Sequence, residues 1–257
     1  MANDDLRVEI FDNGVAEIEM LRGPNNFFDV KLLLAIADSL ELLAADSVRA
    51  AVLCSEGRHF CAGAQLGEAT DNRGLEAGDG MHLYDAALRL FEQPLPIVAA
   101  VQGAAIGGGL GLALAADFRI AAPQARFSAN FARLGFHHGF GMTVTLPAII
   151  GMQAATRLLY TGERVTADQA LLIGLCDAVE PLDGLRPAAR SRAANIAASA
   201  PLAIRSIRKT MRQGLVEQVR AAVVHERKEQ ERLMKTADFK EGVTAVSERR
   251  DPQFLGV

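Results

Sequence analysis

Two stretches of this sequence could present main-chain donors to a ligand. They are Gly57-Arg58-His59-Phe60-Cys61-Ala62-Gly63-Ala64 and Gly103-Ala104-Ala105-Ile106-Gly107-Gly108-Gly109-Leu110-Gly111. Small residues let a backbone come within hydrogen-bond reach of a bound group, and N–H groups that open a helix are unpaired donors favouring negative charge. Such turns can hold an oxyanion. Either stretch alone suits close helix–strand packing better. Nucleotide and common hydrolase signatures are missing: there is no G-x-G-x-x-G, no G-K-[ST] after a glycine loop, no G-x-S-x-G and no H-E-x-x-H.

The elements around these turns alternate. Arg7 to Ile10 and Val15 to Met20 read as two strands about the turn Asp12-Asn13-Gly14. Val30 to Ala45 has apolar residues at helical spacing and leads into the buried-strand run Ala50 to Cys54. A helix over Met81 to Glu92, a strand over Ile97 to Val101, a helix over Leu110 to Ala116 and a strand over Phe118 to Ala121 follow. This order predicts an α/β domain with largely buried strands, each glycine turn following one of them. Beyond Val165 strand signals thin to Val179, and Leu185 to Ser199, Pro201 to Met211 and Leu215 to Met234 read as helices. The expected division is a core over 1–195 and a helical region over 196–257, packed on the core or on another subunit.

With 257 residues, half of them hydrophobic, the chain can bury a sizeable core. Its net charge of −4 gives no reason to expect nucleic acid as a partner. The longest apolar run read here, Pro96 to Ala105, is shorter than the roughly 20 residues a membrane helix needs, so no membrane span or signal peptide is expected. Cys54, Cys61 and Cys176 form no C-x-x-C pair, which suits a reducing cytoplasm and no structural metal.

Taken together, the two turns resemble the paired signature of the crotonase, or enoyl-CoA hydratase/isomerase, superfamily. The resemblance extends over Arg22-Gly23-Pro24-Asn25-Asn26, Phe60 to Leu66, Ala99 to Asp117, Ala125-Arg126-Phe127, Leu134-Gly135, and the ending from Phe239 to Phe254. It implies a crotonase-like spiral of ββα units whose C-terminal helical region builds a homotrimer or a dimer of trimers. It implies an acyl-CoA thioester as partner, with coenzyme A as part of the substrate and no separate cofactor. The N–H groups of Ala64 and Gly108 would form the oxyanion hole. Ala62, Gln65 and Leu66 would contact the coenzyme A, and Gly107, Gly111 and Phe131 would border the acyl group.

The sequence departs from that pattern where the family's hydratases carry two glutamates, because those positions hold Gly111 and Phe131. Two other positions at which relatives place a carboxylate hold Ala132 and Gly139. Substitute acid–base groups are sought in His137, His138 and Tyr84, the last at a position resembling a histidine of the dehalogenase relatives. An imidazole titrates near neutral pH, and a tyrosine can donate a hydrogen bond or stack on an acyl group. Packing roles are open to all three. His59 and His225 read as surface or helix residues, Cys61 as a packing residue, and Arg205, Arg208, Lys209 and Arg212 as a solvated helix face able to meet phosphates. The expectation is an enzyme of this family, a lyase or isomerase, that stabilises a thioester enolate with substitute acid–base residues. Hydrolysis of a thioester or C–C bond through a histidine, and acyl-CoA binding without catalysis, stand as alternatives.

Overall fold

The computed structural model describes residues 4–64, 76 and 81–257. β1 (Leu6–Ile10) and β2 (Val15–Met20) pair antiparallel as the predicted hairpin. β2 then runs parallel to β3 (Ala50–Ser55), β3 to β4 (Ile97–Val101), β4 to β6 (Phe118–Ala121), and β6 to β9 (Ala178–Val179), giving a six-stranded sheet. A second sheet joins β5 (Ala104–Ile106), β7 (Arg126–Ser128) and β8 (Val165–Thr166).

The centre of the large sheet is covered on both faces, which is why β3 and β4 read as apolar runs. Because side chains alternate along a strand, Ile18, Met20, Ala51, Leu53, Ala99 and Val101 fall in the main core, while Val15, Val52, Cys54, Val98 and Ala100 fall in a second one. α1 (Val30–Ala45) lays Leu32, Leu33, Ile36 and Leu40 into the main core, and its N-cap Asp29 accepts a hydrogen bond from Leu32 N–H at 2.9 Å. α6 (Leu182–Ala197) covers the other face with Leu185, Ala189 and Ala193. Glu17 and Glu19 share the alternation that faces α6, and Arg186 and Arg190 of that helix pair with them.

Predicted helices recur as α2 (Leu83–Phe91), α3 (Gly108–Ala115), α7 (Pro201–Met211) and α8 (Leu215–Leu233), alongside the short α5 (Ala167–Leu172). Like α5, two further helices carry no assignment above. α9 (Ala237–Glu248) is capped by Thr236, whose hydroxyl accepts from Phe239 N–H. α4 (Met142–Thr161) has the length and composition to cross a bilayer, but its backbone leaves helical geometry at Gly151, and Met142, Leu146, Ala155 and Leu158 lie in the main core. It packs against α8, which adds Val219 and Val223 to the same core.

Candidate active site

The two glycine turns are held side by side by main-chain hydrogen bonds. Phe60 N–H donates to Gln102 O at 2.7 Å, Cys61 N–H to Ala104 O at 2.9 Å, and Ile106 N–H returns to Cys61 O at 3.1 Å. His59 ties them again, its Nδ1 accepting from Ala104 N–H at 3.1 Å; it is a joint between the turns, which the surface-or-helix reading of His59 missed. The Arg22-Gly23-Pro24-Asn25-Asn26 segment braces the first turn from behind. The wholly buried Asn26 donates from Nδ2 to Glu56 O at 2.8 Å and to His59 O at 2.7 Å.

This zipper brings Ala62, Gly63 and Ala64 to one cavity with Ile106, Gly107 and Gly108. Gly108 is the first residue of α3, so its N–H has no carbonyl one turn earlier to bond. Gly107 N–H is used differently, donating to Ser128 O at 2.8 Å. Near Ala64 the Gly63 carbonyl accepts from Phe28 N–H, and no acceptor for Ala64 N–H occurs among the described residues. Among the described residues, then, neither the Ala64 nor the Gly108 N–H meets an acceptor. Position 108 must be glycine for a steric reason: a Cβ there would lie 2.5 Å from Cζ of the buried Phe28.

The rest of the cavity, about 100 Å³ in volume, is aromatic. Phe28, Phe131, Phe136 and Phe140 line it, with Leu83 and Tyr84 from α2 and Asn130 and Leu134 from the 3-10 turn Asn130–Leu134. Phe131 packs edge-on to Phe136 with centroids 5.4 Å apart, and Phe28 edge-on to Phe140 at 5.6 Å. Phe140 adopts φ 64°, in the left-handed region that favours glycine. Its ring covers Gly111, which lies beneath the lining.

Tyr84 is nearly buried, and its hydroxyl is bonded to Gln230 Oε1 at 2.6 Å. Gln230 Nε2 donates in turn to His137 O at 2.7 Å, fixing the amide so that the tyrosine O–H is the donor. Burial pushes the Tyr84 phenol above its ordinary range. His82 caps α2, its Nδ1 accepting from Tyr84 N–H at 3.1 Å, which sets where the tyrosine begins. Tyr84 thus lies in the cavity with the oxyanion-hole candidates.

His137 and His138 are placed differently, and neither is among the lining residues. Their rings stack at 4.1 Å, and His137 meets His225 of α8 edge-on at 5.9 Å. His138 Nε2 bonds Thr143 Oγ1 at 2.9 Å. Burial, with His137 and His225 beside it, pushes the His138 imidazole down to about 4, the Glu226 carboxylate 3.9 Å away notwithstanding. The two imidazoles join α8 to the turn ahead of α4. Cys61 is fully buried, and desolvation pushes its thiol up to about 12, consistent with a packing residue. Gln65 and Leu66 lie outside the described residues.

The reading of Arg208 and Arg212 as a solvated face needs correction. Both turn inward: Arg208 Nε bonds Asp117 at 3.0 Å and Arg212 Nη2 reaches it at 2.8 Å, so neither is free to meet a phosphate. Sequence reasoning also missed Gln230 and Glu226. Val219, Val223, Glu226 and Gln230 follow one another at helical spacing on the buried stripe of α8. Polar residues interrupting an apolar stripe are the signal that could have found them.

Comparison with known proteins agrees with this architecture. The enoyl-CoA hydratase/isomerase family profile matches residues 10–256, and the chain belongs to that family. A probable enoyl-CoA hydratase of Rhodobacter capsulatus is 36% identical over 221 residues, covering 83% of each chain. The crotonyl-CoA hydratase of Syntrophomonas wolfei is 34% identical over 233 residues, covering 90% of each. The crystal structure of an enoyl-CoA hydratase/isomerase from Pseudoalteromonas atlantica superposes with a TM-score of 0.87 at 30% identity, covering 98% of this chain and 100% of that one. The fold is the crotonase fold, with its helical C-terminal region.

Proposed function

We infer that this chain is an acyl-CoA enzyme that receives the thioester carbonyl between the N–H groups of Ala64 and Gly108 and stabilises the enolate formed next to it. Gly107, Phe131 and the Phe140 ring over Gly111 wall the acyl group, and Ala62, Gln65 and Leu66 follow the coenzyme A. The observation carrying this reading is the convergence of both glycine turns on one apolar cavity. Fixed donors in a dry wall favour a developing oxyanion over the neutral carbonyl, a difference worth about 3 kcal/mol per donor.

The acid–base groups differ from a pair of glutamates. Tyr84 has the strongest support, since it alone of Tyr84, His137 and His138 lines the cavity. Hydrolysis through either histidine has less support for the same reason. No separate cofactor is required. A homotrimer or dimer of trimers would cover the exposed Leu202, Ile207 and Met211 of α7, and the buried free thiols of Cys54, Cys61 and Cys176 suit the cytoplasm.

The test is incubation with short, medium, long and aromatic enoyl-CoAs, following enone absorbance and product mass, with calorimetry for binding. Binding is expected, with hydration slower by about 10²–10⁴ than glutamate-assisted catalysis would give. Tight binding without turnover of any acyl-CoA would favour the non-catalytic alternative. No binding of any ester would overturn the reading.

A further inference from the structure

A second cavity, of about 660 Å³, opens where the chain leaves the carboxyl ends of β3, β4 and β6. Gly57 to His59 reach it from the first glycine turn, Gln102 to Ala104 from the start of the second, and Pro123 and Gln124 from the segment after β6. Ligands of open α/β sheets bind in this position, beyond the carboxyl ends of the strands. Among the described lining residues it shares Ile106 alone with the acyl cavity. Its lining carries Arg58, Arg126 and Arg164 and no Asp or Glu, a local reversal of sign in a chain whose net charge is −4.

The carboxylates nearest these arginines in sequence are committed elsewhere. Glu56 accepts from Gly23 N–H at 2.9 Å, and Glu163, beside Arg164, pairs with Arg157 at 3.1 Å. Neither Arg58 nor Arg164 meets an acceptor among the described residues, and Arg126 bonds only the carbonyls of Pro123 at 3.1 Å and Ala125 at 2.7 Å, both from Nη1. His59 adds another donor. Its Nδ1 is filled by Ala104 N–H, and burial with Arg58 beside it holds the imidazole below its ordinary value, so the neutral ring carries its proton on Nε2. Pro123 and the exposed Leu182 supply an apolar margin.

We propose that this cavity binds a diphosphate-bearing small molecule, at a site separate from that of the acyl thioester. A guanidinium pairs with phosphate oxygens through two parallel N–H bonds, and three of them balance the roughly three negative charges of a diphosphate near neutral pH. The volume left over, with its apolar margin, takes the organic part of the ligand. Because His59 and Ala104 make one of the bonds that join the two glycine turns, an occupant here touches the scaffold of the acyl cavity without entering it.

The experiment titrates inorganic pyrophosphate into the unmodified protein by calorimetry at fixed ionic strength, with and without saturating coenzyme A. One site per chain is expected, with the same affinity in both arms. Arg126→Gln and Arg164→Gln should each weaken binding by about tenfold, and the double variant should abolish it. Both side chains are exposed, so the denaturant midpoint of each variant should stay that of the parent. Arg164→Lys, which keeps the charge but not the planar fork, should fall between parent and Arg164→Gln. Absence of binding at millimolar pyrophosphate would overturn the proposal. So would a double variant that binds as tightly as the parent, or displacement of pyrophosphate by coenzyme A, which would put both ligands at one site.

Discussion

Phe140 stands over Gly111 so closely that a Cβ at position 111 would lie 2.5 Å from both Cβ and Cγ of Phe140. The glycine and the phenylalanine form a matched pair, since position 111 cannot gain a side chain unless Phe140 shifts. Phe140 also makes edge-on contacts with Phe28 and Phe91, so its ring is fixed from several sides.

Gly111→Glu is therefore expected to destabilise the protein without creating hydratase activity. Replacing glycine within a helix gains about 1 kcal/mol in propensity, but forcing a side chain into a filled core costs roughly 1–3 kcal/mol or more, and a buried carboxylate adds to that. Gly111→Glu with Phe140→Ala should recover part of the loss. Denaturant unfolding of the single and double variants checks this; equal stability of the two would mean that the ring moves aside at no cost.

Gly108→Ala should mainly affect catalysis. The added methyl would meet the Phe28 ring, which is fixed in the core, so the backbone of the first α3 residue must shift and its N–H with it. Losing one aimed donor lowers kcat by about 10²–10³. A variant that binds acyl-CoA normally but turns it over slowly fits this account; unchanged kcat would place the oxyanion elsewhere.

Glu226→Gln should cost stability although it alters no cavity surface. The buried carboxylate accepts from Gly141 N–H at 2.8 Å, Thr143 N–H at 2.9 Å and Thr143 Oγ1 at 2.6 Å, clamping the turn that carries Phe140. An amide turns an NH₂ toward one of these donors, and the expected loss is roughly 2–4 kcal/mol by denaturant unfolding.

His138 should give a pH-dependent contribution of known sign. Its imidazole is held down to about 4 in the folded chain against 6.5 when unperturbed, so between these values the unfolded chain binds a proton that the folded one does not. The stabilisation is complete above pH 6.5 and is lost as pH falls toward about 4, amounting to at most about 3 kcal/mol. His138→Asn should flatten the stability profile across this window, measured as the difference from the parent; parallel profiles would contradict the buried neutral imidazole.

Much of the fold was legible because local pattern and tertiary role coincide. β3 and β4 read as apolar strands since both faces of the sheet are covered there, β2 reads as an alternating hairpin strand although Glu17 and Glu19 are buried too, and α1 shows one apolar stripe to one core. α4 was not legible, because Pro147 and Gly151 interrupt the period that would have marked it. Within the site, the family resemblance of the two glycine turns singles out Ala64 and Gly108, and both line one cavity. Gln230 could not be singled out, because it meets Tyr84 across 146 positions of sequence, and no local window contains both. Arg208 looks solvated for the same reason: Asp117, the charge that turns it inward, belongs to another part of the chain.

Gln230 in the wall of the cavity also bears on the order in which the protein is made. A ribosome releases Ala64, Tyr84 and Gly108 well before α8, so the residues of both glycine turns are present while the cavity still lacks one side. Only when α8 has emerged and laid Val219 and Val223 on the core does Gln230 reach the tyrosine. The joined glycine turns and the Tyr84–Gln230 bond thus arise at different moments of biosynthesis, and a chain halted before Gln230 would leave the tyrosine hydroxyl without that acceptor.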